Sequence, residues 1–456
     1  MNKTIGIIGA GLSGTLVAIN LLRKSTADTT IVLIEKQPEY LFRGIAYQMH
    51  ALHLPLNVPV KKMSLYGDDA DHFQRWLQVN QEKYVEALPD IGPDAFVSRG
   101  VYGHYIEDTF HEALGHSEAK LKIVYGDVFA LDAQGEGLTV RFADGKSVTV
   151  DKLVLATGNF ASANVPLTDN SFYESDQYLA SGWADEVPKK IDANDDVLVL
   201  GMGLTGVDIL LTLKRMGHKG KIHLLSRNGL LPKSHDAVVD VPTPDSMAFG
   251  NTAASISSGL RKTIKEWSGK ANWQSILDSV RPITIQLWQS MEVREKQLFL
   301  KYLRPQWDVH RHRIPKSSQA VIDQLLSENR LQLHAGRLRQ FLAQDGKTTV
   351  SYLAKNGQGL QTFSVDKVIN CTGPNTDYSK VPSPLVKQLL TDGYAQLDEL
   401  KLGYVLDNNG ALIDSQGVAS QKIYTIGPPR KGSLWETIAL REIRMQAEEL
   451  PKVLLD

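Results

Sequence analysis

Apolar positions along this chain set out one pattern twice. Ile5, Ile7 and Ile8 form a short apolar run, Leu16, Val17, Ile19 and Leu22 follow at helical spacing, and Ile31–Ile34 is apolar again. That order predicts strand, helix and parallel strand. It returns as Val197–Leu200, a periodic stretch after Gly206, and Ile222–Leu225. Between the copies, Leu121 to Thr157 reads as consecutive strands with a hairpin turn at Ala143-Asp144-Gly145. Further strands are predicted at Leu331–His334, Thr348–Leu353, Phe363–Asn370 and Lys422–Gly427. Helices are predicted over Asp71–Leu77, from Arg99 through Phe110, and over Ser255–Trp267, Ile283–Tyr302 and Ser433–Leu450. In the last, Ser433 and Glu436 have the spacing of a capping box. Gln37–Pro59 and Ala161–Asp195 read as irregular connections punctuated by glycine and proline.

Glycines punctuate both copies identically. Gly9, Gly11 and Gly14 make G-x-G-x-x-G between the first strand and its helix, and Gly201, Gly203 and Gly206 repeat it. The first glycine permits a tight turn, the second lets backbone approach a pyrophosphate, and the third lets helix pack on strand. The amides that open each helix, at Leu12 and Ser13 and at Leu204 and Thr205, then face the phosphates with the positive end of the helix dipole. Gly14 to Glu35 spans 21 residues, the offset of an acid that binds a ribose hydroxyl; Lys36 follows it. Gly206 to Arg227 spans the same 21 residues, but the second strand ends in Ser226-Arg227. A carboxylate there repels a 2′-phosphate and an arginine pairs with it, so the second site is expected to take NADP(H). A third likeness joins the copies: Asp151–Gly158 reads DKLVLATG and Asp366–Gly373 reads DKVINCTG. Strand ends such as Thr157-Gly158 are where a parallel sheet opens its ligand crevice. The loop at Gly427, ahead of the last predicted helix, offers a further seat for a flavin pyrophosphate or ring carbonyl.

The expected fold is α/β, with two Rossmann-like dinucleotide-binding domains for FAD and NADPH and a helical insertion in the second. Its parts are residues 1–165 (FAD domain, first part), 190–365 (NADP(H) domain, insertion at about 231–313) and 366–456 (FAD domain, closing part). Two or three domains are what 456 residues imply. A net charge of −1 gives no reason to expect a nucleic-acid or membrane-surface partner. Cys371 is the only cysteine, which excludes a dithiol acceptor within the chain and suits a reducing compartment; in its apolar strand it reads as core. Ile5–Leu22 carries no charge, but its glycine spacing belongs to a nucleotide turn and not a membrane span. A cytoplasmic protein is expected, with no metal site assigned.

The chain resembles the two-dinucleotide-binding-domain flavoproteins, and more closely the bacterial FAD-NAD(P)-binding oxidoreductases related to N-hydroxylating and other class B flavin monooxygenases. Beyond the fingerprints, the likeness rests on FRGIAY (Phe42–Tyr47), LNVP (Leu56–Pro59), RGVYGHY (Arg99–Tyr105), WDVHRHR (Trp307–Arg313), IGPPRKGSLWE (Ile426–Glu436) and REIR (Arg441–Arg444). It implies that Gly9, Gly11, Ser13, Gly14 and Glu35 hold the FAD adenosine half. It also implies that Val128 meets the adenine through its backbone, and that Gly44, Asn57, Val58 and Trp435 lie toward the flavin. The implied activity is NADPH-driven monooxygenation of a small polar substrate with O2, through a C4a-hydroperoxyflavin, with N-hydroxylation of an amine or amino acid as its form. Two departures stand out. Asn159 occupies the place of the tyrosine that often ends the ATGY of N-hydroxylating enzymes, and no F-x-G-x-x-x-H follows Phe160. Catalytic side chains are not assigned; His310, Arg311, His312, Arg313 and Trp435 are the candidates, the basic four for a substrate carboxylate or NADPH phosphates. The alternatives are a reductase delivering electrons to a quinone or protein, and a flavin-binding redox sensor or interaction protein that docks through the helical insertion.

Overall fold

The computed structural model describes residues 2–87, 90–133, 135, 137–182 and 187–456. The chain opens with β1 (Lys3–Ile8), the helix Leu12–Lys24 and β2 (Thr29–Glu35). A long crossover holding the helices His72–Asn80 and Arg99–Gly115 returns to β3 (Lys120–Tyr125). An antiparallel meander follows, β4 (Val128–Asp132), β5 (Leu138–Phe142) and β6 (Ser147–Val150), before β7 (Lys152–Leu155). β1, β2, β3 and β7 are mutually parallel; one face packs under helices and the other under the meander.

The second copy repeats the plan. The edge strand β8 (Tyr178–Leu179) precedes β9 (Val197–Leu200), the helix Leu204–Arg215 and β10 (Ile222–Ser226). The crossover then carries the insertion and the helix Lys316–Ser327 back to β11 (Leu331–Gln344). β12 (Lys347–Ala354) and β13 (Leu360–Val365) complete an antiparallel extension, and β14 (Lys367–Asn370) re-enters the sheet parallel to β9. The resulting order is β13-β12-β11-β10-β9-β14-β8. The aspartates of the two DK motifs explain their recurrence. Asp151 Oδ2 accepts the Thr4 amide at 2.6 Å and Asp366 Oδ2 accepts the Asp196 amide at 2.7 Å, so each pins a crossing strand to the start of the first.

Several sequence expectations change. Phe363–Asn370 is not one strand: it breaks at Asp366, because β13 pairs with β12 and β14 with β9. β14 therefore belongs to the second sheet, and so does β8, so that domain runs across both expected boundaries, 190 and 365/366. Of the connection Ala161–Asp195, residues 183–186 lie outside the described ones. The expected helix Ile283–Tyr302 is interrupted at Met291-Glu292 and becomes Thr284–Ser290 and Val293–Leu298, followed by a π-helical turn over Phe299–Leu303.

The remaining chain rejoins the first sheet. β15 (Ala411–Ile413) and β16 (Ala419–Thr425) give the order β15-β16-β7-β1-β2-β3. The helix Leu440–Leu454 then packs with Leu12–Lys24 and Arg99–Gly115 into one apolar core, which includes Leu16, Ile19, Tyr102, Phe110, Ala447 and Leu450. The predicted capping box at Ser433 is absent. Lys431–Leu434 is a single turn that stops at Trp435, a non-glycine residue at φ 60°, and the final helix starts only at Leu440. Among the described residues no helix is long and apolar enough to cross a membrane.

The insertion is helical as expected: Ala253–Glu266, Trp273–Val280, the two short helices and turn named above, and Arg304–Arg311. Its first helix has a capping box, Thr252 with Ser255. Its two ends are pinched together: the Lys233 amide donates to Val309 O at 2.9 Å, Ile314 to Lys233 O at 3.0 Å and His235 to Ile314 O at 2.9 Å.

Candidate functional site

Both fingerprints form the same backbone cradle. Gly9 (φ 94°) and Gly201 (φ 112°) occupy the left-handed region, and a Cβ on either would collide with a carbonyl oxygen, of Ala156 in the first copy and of Cys371 in the second. A Cβ on Gly14 or Gly206 would collide with the carbonyl of Gly9 or Gly201. Gly11 and Gly203 are the N-caps of the following helices, and neither helix has a side-chain cap, so the first-turn amides face outward. Space around the second glycine differs: a Cβ on Gly11 would lie 3.1 Å from the Gly44 Cα, whereas one on Gly203 would meet nothing within 4 Å. The FRGIAY loop thus presses on the first cradle, and the second stays open. A cradle that a side chain would fill, with unsatisfied amides on its floor, fits a pyrophosphate.

The strand ends diverge as the sequence indicated. Glu35 is buried at 8% exposure. Its carboxylate accepts the Ala10 amide at 2.8 Å, that of Lys36 at 2.8 Å and that of Gln37 at 3.2 Å. The turn leading to Val128 lies alongside, with the Gly126 amide on Glu35 O at 2.9 Å and Lys36 Nζ 2.8 Å from Asp127. Gly427 closes the same cradle from the far end of the chain: a Cβ there would lie 3.0 Å from Ser13 Oγ. Arg227 instead is exposed and forms no ion pair among the described residues. Ser226 Oγ accepts the Gly229 amide at 3.0 Å and shapes the turn beneath it. One residue of this corner escaped the sequence reading. Lys355 donates to Asn228 Oδ1 at 2.9 Å, next to Arg227, and its own amide is held by Ala335 O. It follows β12, far from Arg227 in sequence, and only the register of β11 and β12 brings it there.

Side-chain contacts with the first crossover fasten the halves. Arg99 grips Asp208 through both nitrogens at 2.7 and 2.9 Å, with Nε on Pro55 O at 3.0 Å. Both side chains are buried; burial raises the Asp208 carboxyl and the guanidinium opposes it. His53 meets Thr212 Oγ1 at 2.9 Å, and burial, then Arg215, holds its imidazole down to about 4. His235 Nε2 donates to the carbonyl of Asn57, in the LNVP loop, at 2.9 Å.

The basic run His310–Arg313 does not act as a unit. Helical rotation at the end of Arg304–Arg311 sends its members in different directions. Arg311 pairs with the buried Glu436 at 3.2 Å, and Arg313 pairs with Asp278. His312 lies 3.9 Å from Asp308. Both arginines are therefore committed to carboxylates, and neither is left for a phosphate. Glu436 does not cap a helix; it accepts Arg311 and, at 3.3 Å, the Trp307 indole N–H. Beside it Arg281 grips Glu442 through two nitrogens at 3.0 and 2.9 Å, and the Trp288 N–H donates to Gly432 O at 2.8 Å. These bonds dock the insertion on the closing segment of the first half.

Between insertion and closing segment lies a cavity of about 270 Å³. Trp273, Trp288, Trp307 and Trp435 contribute to its wall, together with aliphatic residues and His310. Trp435 stacks on Trp288 (centroids 4.9 Å, 25°) and meets Phe299 edge-on at 5.2 Å. Cys371 is buried, and burial raises its thiol, as suits a core residue.

Residues 6–160 match the model of the FAD-NAD(P)-binding family. No curated protein matches the sequence. Among solved structures, L-lysine 6-monooxygenase from Pseudomonas syringae is similar over 100% of this chain and 99% of its own, at 16% identity and TM-score 0.67. The cadaverine monooxygenase of desferrioxamine biosynthesis from Erwinia amylovora, solved with FAD, is similar over 100% and 94%, at 16% identity and TM-score 0.67. The ornithine N-hydroxylase of Kutzneria sp. 744, solved with reduced FAD, NADP+ and L-ornithine, is similar over 100% and 99%, at 14% identity and TM-score 0.65. At such identities the likeness establishes the fold alone: two Rossmann-like domains over the whole chain.

Proposed function

We propose that this chain is an FAD-dependent, NADPH-using monooxygenase that oxidises a small molecule at an amine nitrogen with O2. The observation that carries the proposal is the pairing of two complete cradles of opposite character in one chain. The first has a buried acid and is closed by both chain ends; the second has an unpaired arginine and is open. FAD held in the first would accept hydride from a nicotinamide and activate dioxygen. The whole-chain likeness to enzymes named for lysine, cadaverine and ornithine favours nitrogen as the site of oxidation. The single buried cysteine favours an acceptor outside the chain.

In this reading the amides of Leu12, Ser13 and Gly14 take the FAD pyrophosphate, Glu35 accepts the ribose hydroxyls, and the backbone at Val128 borders the adenine. Gly44, Asn57, Val58, Thr157, Gly158, Gly427 and Trp435 border the flavin half. Gly201, Gly203, Leu204, Thr205 and Gly206 take the NADPH pyrophosphate, while Ser226, Arg227 and Lys355 meet its 2′-phosphate. Arg281–Glu442 and Arg311–Glu436 position the insertion and keep water from its joint with the first half.

The test is anaerobic reduction of the flavin-loaded protein by NADPH, then mixing with oxygen. Reduction followed by a return of the oxidised spectrum delayed by seconds, and hastened by an amine, is expected. Immediate reoxidation that no amine alters would assign the chain to the reductases, and no reduction at all would favour the sensor reading.

A further inference from the structure

The cavity under the insertion carries information about what is oxidised. Its walls come from helices spread over Ala253–His310 and from Trp435 of the other half. None of the residues lining it is Asp, Glu, Lys or Arg. Four indoles, Phe299 and aliphatic side chains such as Leu260, Leu277 and Leu287 surround about 270 Å³. The hollow is partly open to solvent, and an apolar molecule that covers such walls removes them from water. Ligand pockets combine such walls with a few placed polar groups. Here one is His310: its Nδ1–H donates to Gln306 O at 2.7 Å, which leaves Nε2 as an acceptor. Trp273 meets this imidazole edge-on at 4.9 Å and fixes its plane.

Two lysines bear on the charge the cavity accepts. Lys296 lies over Trp288 at 5.4 Å from the ring centroid, and Lys431 over Trp435 at 4.9 Å. The cation seats on these stacked indoles are already used by the protein's own ammonium groups. A ligand with charges at both ends would set one of them against this wall, desolvated, unpaired and facing like charge.

We propose that the cavity seats the apolar, ring-bearing body of the substrate, so that the molecule oxidised is an arylalkylamine with a single amine and not a diamine or basic amino acid. The amine rests on the monooxygenase reading; the apolar body rests on the cavity alone. The amine donates to His310 Nε2 or extends beyond the aromatic wall toward the flavin half, and the ring lies among Leu260, Leu277, Leu287 and the indoles.

The test uses full-length, flavin-loaded protein with 2-phenylethylamine and cadaverine as probes. Binding is read by calorimetry and by quenching of tryptophan fluorescence, and turnover by amine-stimulated NADPH oxidation. 2-Phenylethylamine is expected to bind at least roughly tenfold more tightly than cadaverine. Leu260→Trp and, separately, Ser257→Trp fill the cavity from half-buried helix positions. Each should weaken 2-phenylethylamine roughly tenfold or more while the flavin stays bound and Tm is unchanged. Cadaverine binding as tightly as 2-phenylethylamine, or 2-phenylethylamine binding that neither variant disturbs, overturns the proposal. Binding with the expected selectivity and variant response, but without any NADPH oxidation, upholds the apolar seat and overturns the monooxygenase reading instead.

Discussion

The two nucleotide-binding halves share one plan and use it to opposite ends. Each runs strand, glycine turn, helix, strand, long crossover, parallel strand, antiparallel excursion and returning strand, and each pins the returning strand with an aspartate. In the first half everything closes inward. The FRGIAY loop presses on Gly11, three amides hold Glu35, and Gly427 arrives from the other end of the chain. In the second half the corresponding crossover leaves its own cradle and docks on its neighbour, while Arg227 stays exposed. A site built to retain its ligand is enclosed by many segments; a site built to exchange it is served by few. The backbone motif permits both, and the surroundings decide.

The strongest way to break this comparison is at the third glycine of each half. Gly14→Ala should purify without flavin, whereas Gly206→Ala should remain yellow with its KM for NADPH raised roughly tenfold or more. The flavin absorbance per chain decides it, and a yellow Gly14→Ala protein would show that the first cradle tolerates what the geometry forbids. Next is the buried tie between halves. Arg99→Leu or Asp208→Leu alone should cost about 3–5 kcal/mol in urea unfolding, because the partner charge is stranded, and the double variant should recover much of it. Neutral single variants would mean that the halves do not depend on the tie. Arg227→Ala should raise the NADPH KM about ten- to a hundredfold and leave NADH almost unchanged; equal losses with both nucleotides would falsify the 2′-phosphate role. Lys355→Ala should act in the same direction but only about two- to fivefold, as an exposed cation does.

The smallest effect is acidic. His53 at the joint and His223 in the second half are both held down to about 4, chiefly by burial, against an ordinary value of 6.5. Between those values the unfolded chain binds protons that the folded chain does not, so stability falls as pH drops through that window. His53→Gln and His223→Gln should each recover about 1–3 °C of Tm at pH 5 relative to pH 7. Scans that match the parent at both pH values would show that neither ring is titrated by unfolding.

What could be read from the sequence follows from the range of each interaction. Gly9, Gly14, Gly201 and Gly206 were legible because close backbone approach leaves only glycine, and because both offsets to Glu35 and Arg227 are local. The DK repeats were legible as a repeat, although their role as strand pins required the fold. Glu436 was misread as a cap because its true partners, Arg311 and Trp307, lie more than a hundred residues away. The HRHR run looked like one basic cluster because sequence does not show that a helix end turns its neighbours apart. Lys355 and the cavity left no local signal: each is assembled from positions that only tertiary packing unites.

The pinch at the base of the insertion has an evolutionary consequence. Lys233 and His235 bond to Val309 and Ile314, so the two ends of the excursion lie side by side on the sheet that it leaves. Closing a loop whose ends are already clamped depends only weakly on the number of residues between them. The excursion can therefore be lengthened, shortened or relined while the strands and glycine turns that it leaves keep their places.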